Sequence, residues 1–525
     1  MKHNLPFISL ILISTLLIFW RINDSYVAFT DELLFEEASY RMFASNSTSP
    51  FPNPSWLIPI SNGQAWLEKP PLYFWLTAPI YWLFNQLKSI HPLTENLMPQ
   101  GEFLYPWIRR FWTAIAGVAI VIFTYRITKL LSIFKNDPSL PPLSKGKSNA
   151  IPLLSAYLLL ASPLFLATTK SASLDLTATA FMTGAIYFYL KEKLFLKFSK
   201  VTPPNLPLVR GGITLPAILI GFAILTRSFL ALTPIGLIII DQILNTKNRW
   251  PIKHWLIFFV TILTVTLPWH LAVYSLYPQA FLQTYLGFNL IHHAIQLTPG
   301  YQQTTPFYYF IELIRSIPWL LPFLTAGTLY LLYFKKRVNK KPFNNVTIRS
   351  FTNYHLLITW IAIPLTILTI SSTRHSWYLV QITPPLAILM AYLLHLTYQT
   401  ITTCSKCTTL KYLAQISFFT LTLASITTVL IASDPSAPPI KALRWARQNL
   451  PNSQPLFSYQ QDFLPYTLLF QPHPVKIITN IRKLPANSNI FIADFHLNQA
   501  LEQSSNLAPI QHFKLGSIYQ TSVQK

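Results

Sequence analysis

"FTDELLFEEASYRMF", residues 29–43, follows closely on the first apolar run of the chain, "LPFISLILISTLLIFW" at 5–20. The 525-residue protein has 17 acidic residues against 40 lysines and arginines, a formal charge of +23. Five of those acids, Asp24, Asp31, Glu32, Glu36 and Glu37, fall in this one neighbourhood. Asp31 and Glu32 are adjacent, so on a helix they point about 100° apart. Glu32 and Glu36 share a face at i, i+4 and repel each other unless a cation or metal lies between them. The plain alternative is a solvated helix start, with Thr30 or Asp31 as cap and the acids favoured by the helix dipole.

The rest of the composition sets the scene for these carboxylates. Hydrophobic residues make up 51% of the chain, charged residues 11%, and the mean hydropathy is +0.37. A soluble protein carries about 25% charged residues, so the pattern is that of an all-α polytopic membrane protein. The basic excess does not point to nucleic acid. It sits in short segments between apolar runs, at Arg126–Lys147, Lys191–Arg210, Lys247–Lys253, Lys335–Arg349 and Lys406–Lys411. That is the distribution of cytoplasmic loops. Two cysteines, Cys404 and Cys407, are too few for a disulfide framework. The N-terminal run lacks a small-residue cleavage site and reads as a retained signal-anchor helix.

About eleven spans fit the apolar runs, near 5–20, 106–131, 150–169, 176–194, 213–226, 229–244, 254–276, 306–334, 351–371, 376–398 and 411–432. With the N-terminus cytoplasmic, the basic loops all fall on one side. "PPLYFWLTAPIYWLF" (70–84) is short, proline-led and rich in Trp and Tyr, and reads as an interfacial or re-entrant helix. The expected organisation is a transmembrane domain at 1–433 with a long first extracytoplasmic loop at 21–105. A small extracytoplasmic α/β domain follows at 434–525. The remaining charges lie mostly near the outer ends of spans. A charge at membrane depth costs about 2.5–3.5 kcal/mol on insertion scales, which makes such residues functional candidates. Glu312 and Arg315, at i, i+3, read as a structural pair.

The order of motifs then becomes recognisable. "TDELLFEEASYRMFA", "WLEKPPLYFWL", "RRFWTAIAG", "SASLDLTATAF", "GFAILTRSFLAL", "LPWHLAV", "PFYYFIELIRSIPWLLP" and "SSTRHSWYLVQITPPLAILMAYLL" occur in sequence. Together, over about residues 5–400, they resemble the GT-C fold glycosyltransferases of the protein O-mannosyltransferase and lipid A aminoarabinose transferase type. The resemblance implies transfer of a sugar from a polyprenyl-phosphate-linked donor to a protein hydroxyl, lipid or envelope glycan. That transfer would take place on the outer face of the bacterial inner membrane, with inversion at the anomeric carbon.

By the same resemblance Asp31 stands at the place of the catalytic aspartate, with Glu32 beside it. Lys69, next to Glu68 in "EKPPL", matches the lysine near the donor phosphate. Asp175 matches a second outer-loop aspartate that orients partners or helps hold a cation. Arg227 stands where "TKG" is usual. Arg374 and Tyr378 match a basic and a tyrosine position that contact phosphate. His292 or His293 occupies a region where the family often carries arginine, and a neutral imidazole is a weaker anion partner there. No strict metal signature is present, though oxygen ligands from Asp31, Glu32 and Asp175 leave room for a divalent cation. The competing class is a transporter or flippase of lipid-linked sugars. It calls for repeat symmetry and interrupted helices around a midplane site, and no internal repeat is evident.

Overall fold

The computed structural model describes residues 5–22, 31–43, 56–61, 64–90, 106–134, 149–198, 212–245, 249–292, 305, 307–317, 347–372 and 374–403. In the C-terminal part it describes 456–459, 475–478, 480–485, 487–493, 500–502, 507–513 and 516–521, with scattered positions in 419–449. The helices in chain order are α1 (Leu5–Phe19), α2 (Asp31–Phe43), α3 (Leu72–Ile90), α4 (Pro106–Phe134), α5 (Ala150–Leu160), α6 (Pro163–Thr169) and α7 (Leu174–Phe198). They continue as α8 (Thr214–Arg227), α9 (Thr233–Leu244), α10 (Ile252–Leu276), α11 (Pro278–Phe281), α12 (Tyr308–Ser316), α13 (Thr347–Ile370) and α14 (Thr383–Thr403). A π-helical segment at Leu282–His292 and 3-10 segments at Ser228–Leu232 and Ser376–Ile382 connect some of them.

Among the described residues, four helical stretches are long and apolar enough to cross a membrane: Trp107–Ser132, Thr214–Leu244, Ile252–Leu276 and Ser376–His395. α5 and α6 make a further broken span, bent by 69°. The break follows from the sequence. Ser162 caps α6 by accepting the Phe165 N–H, and Pro163 opens the helix where no N–H is needed. The expected spans at 213–226 and 229–244 are instead one helical stretch, joined through the 3-10 segment without a loop. Ser228, which follows Arg227 inside the stretch, has φ 53°. The expected spans near 5–20 and 351–371 correspond to shorter apolar helices, Leu5–Phe19 and His355–Ile370. Those at 306–334 and 411–432, and the two cysteines, lie largely outside the described residues. The aromatic run at 70–84 forms most of α3, with Pro79 inside the helix.

The chain divides into two compact units. The first comprises Met1–Trp20, Leu67–Tyr73 and Trp112–Ala432. In it α8 meets α10 across glycine. A Cβ on Gly221 would lie 2.6 Å from Val265 Cγ1 and 2.8 Å from its Cβ. Small residues at such crossings let helices in lipid gain dispersion contacts. Because Val265 is stiff at χ1, Gly221→Ala is expected to overpack the crossing at a cost of about 1–3 kcal/mol. Thermal unfolding in detergent checks this, and adding Val265→Ala should recover most of the loss. Lys170 anchors α1 by donating to the carbonyls of Ile18 and Trp20, which are left without helical partners at that end.

The second unit comprises Arg21–Trp66, Phe74–Phe111 and Ser433–Lys525. It contains a two-stranded hairpin, β1 (Ile60–Ser61) with β2 (Gln64–Ala65). Its C-terminal part holds β3 (Leu456–Tyr459), β4 (Val475–Ile478), β5 (Asn489–Ala493), β6 (Leu507–Phe513) and β7 (Gly516–Thr521) in the order β4-β3-β5-β7-β6. β3 runs parallel to β4 and β5, while β7 runs antiparallel to β5 and β6. Central β5 buries Ile490, Phe491 and Ile492 on both of its faces, as a covered strand does. Pro509 sits on the edge strand β6 at a register shift, where a missing N–H is tolerated.

Candidate active site

Two constellations of charge are built by residues far apart in sequence. The first lies in the second unit. α2 places Glu32 and Glu36 on one face, and both carboxylates are fully buried. α4 opens at Pro106 and carries Arg109 and Arg110 as its fourth and fifth residues, each 1% exposed. Two cations at a helix N-terminus act against the dipole, so this placement calls for anions nearby. Arg109 Nε donates to Glu32 Oε1 at 3.1 Å and its Nη1 donates to Glu36 Oε2. Arg110 donates to both oxygens of Glu32, at 2.5 and 3.3 Å, and to the carbonyl of Ile22. Tyr81 of α3 donates to Glu36 at 3.0 Å.

The cation that the i, i+4 glutamates require is therefore Arg109. Burial pushes the Glu36 carboxyl above the usual carboxylate range, while Arg109 and Tyr81 pull it back down. Ring contacts of Phe35 with Trp66 and Phe74, and of Tyr40 with Tyr81, pack α2 around this cluster. Asp31 is the first residue of α2. Glu32 anchors α2 to α4, since its carboxylate is taken up by two guanidinium groups.

The second constellation lies in the first unit. Asp175 stands in the first turn of α7, and Ser173 caps that helix by accepting the Leu176 N–H at 3.2 Å. Arg227 ends α8. Its Nε donates to Asp175 Oδ1 at 2.6 Å, and its guanidinium lies 5.2 Å from the ring centre of Tyr378, within cation–π range. Three elements thus bring together three residues singled out in the sequence. The other candidates make the following bonds. Lys69 is 7% exposed and donates to Glu68. Arg374 donates to the carbonyls of Thr305 at 3.2 Å and Thr369 at 3.1 Å. His292 is the last residue of the π-helical segment, and His293 is outside the described residues. Glu312 and Arg315 pair at 4.0 Å, as their spacing implied.

Among the described residues no group of three or more His, Cys, Asp or Glu side chains is placed to hold a metal ion. The Asp175 carboxylate is engaged by Arg227. Sequence reasoning gave no site role to Glu36, Arg109, Arg110 or Tyr81. A signal existed in the paired arginines of "RRFWTAIAG", which sit at the unfavourable end of a long apolar helix.

No protein-family model matches the chain. It is 23% identical over 367 residues to an undecaprenyl phosphate-alpha-4-amino-4-deoxy-L-arabinose arabinosyl transferase of Enterobacter sp. (strain 638), covering 69% of this chain and 54% of that protein. The chain spans about half the length of the curated relatives it matches. The crystal structure of ArnT from Cupriavidus metallidurans bound to undecaprenyl phosphate superimposes with a TM-score of 0.62 at 16% identity, over 98% of this chain and 97% of that one. The oligosaccharyltransferase of Archaeoglobus fulgidus gives a TM-score of 0.57 at 13% identity, over 91% of this chain and 65% of that one. A match that runs almost end to end on both chains, together with apolar helices long enough to span a bilayer, identifies the fold of this protein as GT-C, the fold of membrane glycosyltransferases.

Proposed function

We propose that the protein is a glycosyltransferase of the bacterial inner membrane that takes its sugar from a polyprenyl-phosphate-linked donor. The observation that carries this reading is the Arg227–Asp175–Tyr378 triad. Its guanidinium is oriented by a carboxylate and an aromatic ring, on a fold shared with a protein whose structure holds undecaprenyl phosphate. Arg suits phosphate because its planar fork can donate two parallel hydrogen bonds. Asp31 acts as base. The acceptor hydroxyl attacks the anomeric carbon, its proton passes to the Asp31 carboxylate, and the bond from that carbon to the phosphate oxygen breaks. Polyprenyl phosphate leaves with the electron pair, and the sugar configuration inverts. Arg227, Lys69, Arg374 and Tyr378 stabilise the charge on the departing phosphate, and Asp175 holds Arg227. Glu32 and Glu36, through Arg109 and Arg110, fix α2 and so the position of Asp31. The first loop at 21–105 and residues 434–525 lie outside the cytoplasm in this reading, and the acceptor is a protein hydroxyl, a lipid or an envelope glycan.

Deleting the gene and comparing envelope glycans and glycoproteins by mass spectrometry tests this at the level of the cell. Loss of one sugar substituent, restored by the wild-type gene, is the expected result. An unchanged envelope under conditions where the protein is made would overturn the reading.

A further inference from the structure

The first unit carries a further polar cluster that the proposed chemistry does not use. Asp241 of α9 is buried, and its carboxylate accepts from Lys193 at 2.9 and 2.7 Å, from Tyr189, and from His355 Nε2 of α13 at 2.9 Å. Asn245 donates to the same carboxylate at 2.7 Å. Lys193 stands 18 residues after Asp175 on α7, about 27 Å along the helix. That is close to the hydrocarbon thickness of a bilayer, about 30 Å. The cluster and the Arg227–Asp175 pair therefore belong to opposite faces of the membrane.

The same cluster braces the turn from α9 to α10. Gln242, also buried, donates to the Tyr189 oxygen at 2.9 Å and accepts the Trp250 N–H at 2.7 Å. The Trp250 ring packs on Tyr189, Trp255 and Phe258, with centroids 5.5, 5.2 and 5.6 Å away. Arg249 Nη2 donates to the Ile243 carbonyl at 2.8 Å. This fixed turn presents Arg249 and Lys253, both exposed. Lys253 is the second residue of α10, whose first turn contains no acid, and a cation there acts against the helix dipole. In α4 the same placement is answered by Glu32 and Glu36. Here, among the described residues, no carboxylate pairs with Arg249 or Lys253, and Asp241 is already taken by Lys193. Their counter-charge is left to an outside anion.

The exposed face of α10 indicates the kind of anion. It runs through Ile252, Leu256, Val260, Leu263 and Leu267, an uncharged stripe at helical spacing that begins beside the cations. Trp255 stacks on Phe259 at 5.8 Å, and tryptophan favours the headgroup level of a bilayer. A molecule that meets both parts has a charged head and an apolar tail. We propose that the α9–α10 turn is a binding site for an anionic phospholipid, its phosphate held by Arg249 and Lys253 and an acyl chain laid along α10. Arg249 keeps N–H groups beyond the one given to Ile243, and its planar fork suits phosphate oxygens. In the orientation of the proposed function this is the cytoplasmic leaflet, whose surface is negative. Only that choice of leaflet rests on the proposed function; the binding does not.

The test is native mass spectrometry of the full-length protein released from nanodiscs, with phosphatidylglycerol and phosphatidylcholine of identical acyl chains as probes. A cation near the membrane surface is worth about fivefold in affinity. The wild type is therefore expected to prefer phosphatidylglycerol about 25-fold, and Arg249→Gln or Lys253→Gln alone about fivefold. The double variant should show no preference, with its phosphatidylcholine binding and melting temperature unchanged because both side chains are exposed. Lys340→Gln with Lys341→Gln removes equal charge from another basic segment and should keep the preference. So should Arg227→Gln, since the triad lies across the membrane. A wild type that does not distinguish the two lipids overturns the proposal, as does a preference that survives in the double variant. Equal loss from the Lys340 and Lys341 pair overturns it in favour of diffuse charge, and loss in Arg227→Gln moves the bound lipid to the triad. None of these outcomes decides whether the protein transfers sugar, so the two readings fail separately.

Discussion

Arg109→Met is expected to destabilise the protein by about 3–5 kcal/mol, the cost of leaving buried carboxylates without their partner. The cluster contains two guanidinium groups and two carboxylates, so it is close to neutral as built. Removing Arg109 leaves Glu32 and Glu36 facing each other at i, i+4, with Arg110 still bonded to Glu32. Glu36 would keep its bond from Tyr81 but lose its cation. Its simplest escape is to bind a proton, which its raised pKa already favours. The sign follows from that. The variant's carboxyl titrates higher than in the unfolded chain, so its remaining stability is greatest at low pH and falls as pH rises through the carboxyl's folded pKa. Thermal unfolding of the purified protein in detergent between pH 5 and pH 8 measures this. A double variant, Arg109→Met with Glu36→Gln, should recover part of the loss, because it removes the orphaned charge as well as its partner. Unfolding of the single variant at the wild-type temperature across that range would show that the buried ions do not hold α2 to α4.

Asp31→Asn has the opposite character, with a large effect on rate and little on the fold. A positioned general base contributes about 10²–10⁴-fold, and asparagine keeps the size and the capping ability of aspartate at the start of α2. Sugar transfer should therefore fall by about two to four orders of magnitude, while membrane insertion, yield and melting temperature stay those of the wild type. Glu32→Gln should separate from it. Glu32 is fully buried between Arg109 and Arg110, so its loss is expected to lower stability together with activity. Full activity in Asp31→Asn would remove Asp31 as the base.

These two residues also show how far the sequence carries. The crowding of acids after the first apolar run, and the need for a cation between Glu32 and Glu36, follow from spacing and helix geometry alone. The identity of that cation does not. Arg109 lies 73 residues from Glu36 and 77 from Glu32, and no periodicity links positions so far apart. Asp175 and Arg227 are 52 residues apart. They were singled out by their motifs, but their mutual bond depends on how α7 and α8 pack.

Lys69 and Arg374 were legible as charges at the ends of apolar runs. Their partners, the adjacent Glu68 carboxylate and two backbone carbonyls, depend on local turns that hydropathy does not register. The stretch from Thr214 to Leu244 reads as two spans in the sequence for a related reason. A charged residue inside an apolar run ordinarily signals a loop, and here the helical stretch continues past it through a 3-10 segment. The five-stranded sheet was foreshadowed only by short β-branched stretches such as "VKIITNI" and "NIFIADF", which give no pairing order.

The central claim is that this protein cleaves the bond between a sugar and a polyprenyl phosphate. Its most direct measurement is to reconstitute the purified chain in vesicles with a panel of undecaprenyl-phosphate-linked sugars and acceptor-containing inner membranes. Free undecaprenyl phosphate is then followed by mass spectrometry. The account predicts its release from at least one donor by the wild type and its loss in Asp31→Asn. Every donor recovered intact, or a labelled donor moved across the bilayer with its sugar still attached, would contradict it.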